Sequence, residues 1–306
     1  MESKQEDQFL QYTGITFLGI TILTYFSSGA HAISPFEDTT AGNLTRAGGY
    51  IASVIIFYLC FRKQLERNKQ TQTIQWHPLF SIYEKILIML LVFFLMLFIM
   101  EILSIFSITP WNICHADKVT VAEGSIGFIK ASFFIAFYAM CEEIMFRRIL
   151  LQTQTHNGLG FALVSSSILF ALCHSTQILA VFAAGMALGG VYILTGSIIY
   201  PILMHVFNNI FKFYVFDYIS PLMPEDRLRL TLLILYGIVF VLLLSICLIS
   251  KNIRSVFKRI KWEIVKAHFK NNIKPYAEFF RSPGTLILIL FLFLSKFNQL
   301  VSPNSF

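Results

Sequence analysis

Eight apolar stretches, each close to the length that a helix needs to cross a bilayer, constrain this chain more than any other feature. They cover roughly residues 9–28, 46–61, 84–107, 125–147, 158–177, 178–195, 197–216 and 229–250. A spanning helix takes about 20 mostly apolar residues. The chain is 56% hydrophobic and only 13% charged, unlike an ordinary soluble domain. The pattern therefore predicts an all-α, polytopic transmembrane bundle of about eight spanning helices, formed by residues 1–250.

The orientation of the bundle follows from the basic residues in its loops. The loop after the second stretch carries Arg62, Lys63, Arg67 and Lys69. Loops rich in Lys and Arg stay on the cytoplasmic side of a membrane. Alternating from this loop predicts that both termini are cytoplasmic, a topology that is N-in and C-in.

The segment 251–281, the first part of a predicted cytoplasmic region 251–306, is strongly basic. It holds nine basic and two acidic residues, a net charge of +7, with apolar residues interleaved. This pattern is typical of a basic amphipathic helix on an anionic cytoplasmic leaflet, and we expect that contact rather than nucleic-acid binding. A short apolar run follows at 286–294. It cannot span a membrane, and it is either interfacial or docked on the bundle.

Two successive acidic residues, Glu142 and Glu143, occur near the cytoplasmic end of the fourth stretch, in AMCEEIMFRRIL. A charge at bilayer depth costs about 2.5–3.5 kcal/mol on insertion scales, so such residues usually face a cavity or a partner. Glu143 and Arg147 are four residues apart, which predicts an ion pair on one helix face. Glu142 has no local partner, and its carboxylate is suited to take a proton from water. The alternative is that both acids only mark the membrane boundary.

Two histidines interrupt other apolar stretches: His174 in SSSILFALCHS and His205 in YPILMHVFNN, where Asn209 follows one turn later. At about 1.5 Å per residue from the connecting turns, these residues reach depths similar to that of Glu142. We expect all four to line one cavity. Hydrolysis of a peptide bond needs a base for water and donors for the oxyanion. Glu142 would be the base, His174 would orient or share the water, and His205 with Asn209 would hold the oxyanion.

Three glycines of the sixth stretch, Gly185, Gly189 and Gly190, are expected to let helices approach closely. Cys141 and Cys173 each adjoin a residue of the expected cavity, which raises the alternative of a cysteine nucleophile with a histidine base. Adjacent helix positions point about 100° apart, so we favour packing roles for both cysteines.

The segments EEIMFR, FALCH and HVFNN resemble the motifs EExxxR, FxxxH and HxxxN of the CPBP family, the CAAX-protease and bacteriocin-processing group also called ABI proteins. They follow in the family's order on separate helices, within a predicted peptidase core of about 84–216. The resemblance implies a glutamate-type intramembrane endopeptidase, a hydrolase that acts on a membrane-associated protein or peptide. It also leads us to expect an integral protein of the prokaryotic inner membrane. Nothing in the chain indicates whether its substrate is prenylated.

The resemblance also implies a role for each matched residue. Glu142 matches the family's base and His174 its water-activating partner. His205 and Asn209 match the oxyanion-stabilising positions, while Glu143 and Arg147 match the second acid and the arginine of the first motif, in supporting roles.

Two other readings of the same cavity stay open. In the first, Glu142, His174 and His205 bind zinc, as in a metalloendopeptidase with three protein ligands. The chain has no HExxH helix, and Asn209 is a better hydrogen-bond donor than a zinc ligand, so we expect no cofactor. In the second, the protein is a non-catalytic membrane immunity or scaffold factor that binds a peptide there. The sequence does not indicate an oligomeric state.

Overall fold

The computed structural model describes most of the predicted bundle. It covers residues 40–71, 81–105, 124–155, 158–174, 178–219, 222–251 and 253–254, together with 276, 277, 279, 281 and 286. These residues are helical almost throughout and include no strand, which confirms the all-α class. The first predicted stretch, 9–28, lies outside the described residues.

Seven long helices account for the described part of the bundle. They are α1 (Thr40–Thr71), α2 (Ile82–Ile105), α3 (Gly124–Glu143), α4 (Leu159–Leu172), α5 (Ile178–Thr195), α6 (Ile199–Ile219) and α7 (Glu225–Ile249). Each corresponds to one predicted stretch, because a long apolar run can bury its backbone in a membrane only as a helix. A π-helical segment, Ile144–Leu151, continues α3 and leads into a short α turn, Gln152–Gln154.

The helix ends follow local signals in the sequence. Ser81 and Glu84 form a capping box at the start of α2: the Ser81 backbone N–H donates to the Glu84 carboxylate at 3.0 Å, and the Glu84 N–H donates to the Ser81 hydroxyl at 3.3 Å. Gly158 (φ 105°) precedes α4 and Gly196 (φ 65°) follows α5. A residue with a Cβ is strained at such angles, so glycine allows both turns.

Three of the described helices are long and apolar enough to cross a membrane: Ile82–Leu103, Ile178–Thr195 and Asp226–Ile249. Ala47–Leu59 and Leu159–Leu172 are apolar but shorter. The larger number of about eight spans and the N-in, C-in orientation remain predictions.

Helix packing brings the motif-bearing segments together. α4 packs on α5 and on the π-helical segment, while α3 packs on α6. α1 contacts both α3 and the π-helical segment, and α2 packs on α5 and α7. One apolar cluster runs through this assembly, with Phe146, Phe170 and Met204 among its buried members. The helices that carry the three motifs therefore surround a common interior.

Most of the predicted basic helix 251–281 lies outside the described residues. Among those that are described, Tyr276 and Phe279 pack edge-on against Phe161 near the start of α4, with ring centroids 4.8 Å and 6.0 Å away. Phe279 is buried. At these two positions the C-terminal region contacts the bundle. Its predicted contact with an anionic leaflet stays a prediction, as does the division of the chain at residue 250.

Candidate active site

The first motif lies where α3 changes into the π-helical segment. Glu142 and Glu143 are the last residues of α3, and Arg147 is the fourth residue of the π-helical segment. A π-helix bonds i to i+5, so it redirects backbone carbonyls away from regular α positions. The Ser166 hydroxyl from α4 donates to the Phe146 carbonyl at 2.9 Å. This bond attaches α4 to the irregular segment and helps to satisfy its polar backbone.

Glu143 and Arg147 form the predicted ion pair, which the structure confirms. Arg147 Nε lies 3.2 Å from Glu143 Oε2, and both side chains are fully buried, with 0% exposure. Arg147 Nη2 also donates to the Gly185 carbonyl on α5 at 3.4 Å. Breaking a buried pair of this kind by removing one partner leaves an uncompensated charge, which is strongly destabilising.

Phe170 joins the charged pair to the histidines. The Arg147 guanidinium carbon lies 4.3 Å from the centroid of the Phe170 ring, within cation–π range. The same ring lies 4.6 Å from the His174 ring and meets the His205 ring edge-on at 5.7 Å. The aromatic residue of the second motif therefore packs against one residue of each of the other two motifs.

The hydrogen bond of His174 determines which of its nitrogens carries a proton. Nδ1 lies 2.7 Å from the Phe170 carbonyl oxygen, which can only accept, so Nδ1 carries the hydrogen. In the neutral ring, Nε2 then has a free electron pair. Nε2 lies 3.8 Å from Glu142 Oε2, and the His174 side chain is 34% exposed.

His205 is held by the second acid of the first motif. Its Nδ1 lies 2.8 Å from Glu143 Oε1, and its side chain is only 6% exposed. An ionised carboxylate only accepts, so Nδ1–H donates to it. Glu143 therefore binds His205 through one oxygen and Arg147 through the other. The remaining nitrogen of His205, Nε2, lies 3.8 Å from Glu142 Oε2.

Glu142 Oε2 thus faces the Nε2 atoms of both histidines at the same distance, 3.8 Å. This is longer than a direct hydrogen bond. Glu142 has no local partner, as expected, but a distant one binds it: the Tyr50 hydroxyl on α1 donates to Glu142 Oε1 at 2.9 Å. Local spacing could not reveal this contact, since Tyr50 lies 92 residues away in the sequence.

Asn209 is one turn beyond His205 on α6, and no hydrogen bond in the described part of the chain links it to Glu142 or to either histidine. Its Oδ1 accepts from Asn208 Nδ2 at 3.1 Å. This is the one side-chain hydrogen bond of Asn209 among the described residues, so its own NH2 group has no partner there. Asn208 is buried, and it lies outside the residues that define the third motif.

Two of the three glycines, Gly185 and Gly189, let helices approach closely, as expected. A Cβ on Gly185 would meet Ser167 and Phe170 of α4 within 3.3 Å, and one on Gly189 would overlap the Leu163 side chain. Close packing of α4 on α5 therefore depends on Gly185 and Gly189. The expectation is wrong for Gly190, where a Cβ would meet nothing within 4 Å, because this position points away from the other described residues.

A second set of buried polar side chains was not predicted. Glu101 on α2 is buried and interacts electrostatically with Lys212 on α6 and with Tyr236 on α7. Lys212 is two helical turns beyond His205. The sequence offered a signal for this set, because Glu101 and Lys212 both interrupt apolar stretches. The opposite charges of Glu101 and Lys212 compensate each other inside the bundle and connect α2 with α6, and Tyr236 extends the set to α7.

No group of three or more His, Cys, Asp or Glu side chains in the described ranges has the arrangement of a metal site. That no cofactor is needed stays a prediction. Cys141 and Cys173 are both free thiols.

The fold and the site together define a helical membrane protein with an acid and two histidines facing one another in its interior. Residues 124–211 match a family model described as type II CAAX prenyl endopeptidase Rce1-like. All three motifs lie within the matched segment, which confirms the family resemblance that they predicted. The family is membrane-embedded and suggests CAAX protease activity, and the match gives no support to a metalloendopeptidase. Comparison with curated proteins and with solved structures found no match.

Proposed function

We propose that the protein is an intramembrane endopeptidase that hydrolyses a peptide bond in a membrane-associated protein or peptide. Glu142 and His174 activate the water, and His205 and Asn209 stabilise the oxyanion. The observation that carries this proposal is the convergence of Glu142 Oε2 with the Nε2 atoms of His174 and His205, each 3.8 Å away.

The spacing between Glu142 and His174 suits one water molecule. A water about 2.8 Å from each atom forms normal hydrogen bonds while the two atoms stay apart. Because His174 Nδ1 donates to the Phe170 carbonyl, its Nε2 is free to accept from that water. The water oxygen bonds to the scissile carbonyl carbon while Glu142 takes a water proton. Glu142 then gives this proton to the leaving nitrogen as the carbon–nitrogen bond breaks.

His205 and Asn209 differ in what they need to act as oxyanion donors. His205 Nδ1 already donates to Glu143, so Nε2 can donate only when the ring carries a second proton. The carboxylates of Glu142 and Glu143 face its two nitrogens, with Glu142 Oε2 3.8 Å from Nε2 and Glu143 Oε1 2.8 Å from Nδ1. Asn209 can donate in its ordinary state, because its NH2 group has no partner among the described residues.

Burial of the Glu143–Arg147 pair supports this chemistry. Both side chains are fully buried, so the site next to Glu142 is partly shielded from water. Donors in such a place act more strongly on a developing oxyanion than they would in bulk solvent. The pair also compensates its own charge, which leaves Glu142 as the carboxylate available to the substrate.

The test compares membrane proteomes of cells that carry the native protein, Glu142→Gln or Glu66→Gln. The first variant keeps the shape of the side chain and removes the base. The second changes an exposed carboxylate on α1 and serves as a matched control. We expect peptide termini that are present with the native protein and Glu66→Gln and absent with Glu142→Gln. Identical termini in all three samples would contradict the proposal and favour the non-catalytic binding function.

Chelation separates the proposed mechanism from the zinc alternative. Two imidazole nitrogens and a carboxylate oxygen are also ligands that zinc takes. We expect the same termini from membranes that were treated exhaustively with a chelator and then incubated. Loss of cleavage that zinc restores would identify a metal-dependent protease instead.

A further inference from the structure

One side chain of the site comes from outside the segment that matches the family model. The family match covers residues 124–211, whereas Tyr50 is on α1. Its hydroxyl donates to Glu142 Oε1 at 2.9 Å, across 92 residues of sequence. α1 packs against α3 and the π-helical segment, so this contact belongs to a helix interface.

Both ends of the Tyr50 side chain are held. Its ring stacks on the Tyr138 ring, with centroids 4.8 Å apart and planes 24° from parallel. Tyr138 is four residues before Glu142 on α3, so its ring and the Glu142 carboxylate lie on one helix face. Tyr50 also packs against the main apolar cluster. The ring is therefore fixed by Tyr138 and the hydroxyl by Glu142.

The two oxygens of Glu142 consequently have different surroundings. Oε1 accepts from Tyr50, and Oε2 faces His174 and His205. Without a donor on one side, the carboxylate could turn about its last side-chain bond, which has a broad rotational preference. A hydrogen bond to the ionised form also favours that form over the protonated one. The contact with Tyr50 can thus fix the direction of the carboxylate.

We propose that Tyr50 is a positioning residue, which holds the Glu142 carboxylate with Oε2 directed at the water shared with His174. This inference rests on the proposed function, because it assigns Tyr50 its effect through the base. It also means that the matched segment alone does not contain the complete site.

The experiment uses the full chain in lipid vesicles and compares Tyr50→Phe with Tyr58→Phe. The first variant keeps the stacked ring and removes the hydroxyl. The second removes a hydroxyl from an exposed position on the same helix. The probe is an internally quenched peptide that ends in a CAAX tetrapeptide, with and without a farnesyl group. We expect Tyr50→Phe to lower kcat about tenfold and to move the acidic limb of the pH–rate profile up by about one pH unit. Tyr58→Phe should match the native protein.

Infrared titration gives a second readout that does not depend on cleavage. The protonated-carboxyl band that Glu142→Gln removes should appear at a higher pH in Tyr50→Phe than in the native protein. Monofluorotyrosine at position 50 is a stronger donor of nearly the same size, and it should move this band to lower pH. A merely structural role for Tyr50 predicts no such pair of opposite shifts.

The outcomes separate the two proposals. If Glu142→Gln cleaves the probe as fast as the native protein does, the proposed function fails. If the infrared band of Tyr50→Phe and of the fluorotyrosine protein appears at the native pH, the role of Tyr50 is wrong, whatever the cleavage assay gives.

Discussion

The glycines of α5 offer a quantitative test of how tightly the site is packed. A Cβ on Gly185 would lie 3.1 Å from both Cα and Cβ of Ser167 and 3.3 Å from Cδ1 of Phe170. Carbon atoms in contact usually stay about 3.5–4.0 Å apart, so α4 would have to move by about half an ångström. Overpacking of this kind costs about 1–3 kcal/mol. On Gly190 the same Cβ meets nothing within 4 Å.

Gly185→Ala and Gly190→Ala share the same change in helix propensity, which favours alanine by about 0.5–1 kcal/mol. The difference between the two variants therefore isolates the packing term, and we expect Gly185→Ala to be less stable by about 1–3 kcal/mol. The free energy of unfolding is measured by titration with a denaturing detergent in mixed micelles. Gly185→Ala should also lower kcat, because it displaces Phe170 and the carbonyl that binds Arg147. Equal stability and equal activity of the two variants would refute the reasoning.

Three further substitutions test other contacts of the site. Glu143→Gln should cost about 3–5 kcal/mol of unfolding free energy because it leaves Arg147 buried and unpaired, and adding Arg147→Met should recover part of that loss in the same detergent titration. Asn208→Ala removes the donor to Asn209, so kcat should fall about tenfold while KM stays unchanged, and a fall in stability without a change in kcat would argue against an orienting role. Phe170→Leu removes the cation–π contact and should lower the free energy of unfolding by about 2 kcal/mol, whereas a neutral result would show that this contact contributes nothing to stability.

The sequence predicted the features that depend on residue type and spacing along a helix. Each described helix coincides with an apolar stretch, because burial of backbone polar groups in a membrane allows few alternatives. The Glu143–Arg147 pair followed from i, i+4 spacing on one helix. The proximity of Glu142, His174 and His205 followed from comparing their depths along the helices. These predictions needed only the rise and pitch of a helix and the positions of the turns that connect one helix to the next.

The contacts that sequence reasoning missed depend on which helix lies beside which. Tyr50 is one of 12 tyrosines in an aromatic-rich chain, and nothing local distinguishes it. The role of Phe170 as a common neighbour of Arg147 and both histidines required three helices to be placed together. The outward direction of Gly190 was also hidden, since it points about 100° away from Gly189 and only the placement of the neighbouring helices decides which of the two meets one.

The π-helical segment Ile144–Leu151 restricts how the length of this region can change in evolution. Its hydrogen bonds run from i to i+5 and so enclose one more residue than those of an α-helix. The segment is therefore equivalent to an α-helix that accommodates one inserted residue without forming a loop. Deleting a single residue there would return the segment to α geometry while the helices on either side keep their places, so the side chains inside the segment would change direction. Arg147 would then turn away from Phe170, although every residue of the motif was still present. Relatives of this protein should therefore vary in length at the helix connections and keep the number of residues between Glu143 and Gln154 constant.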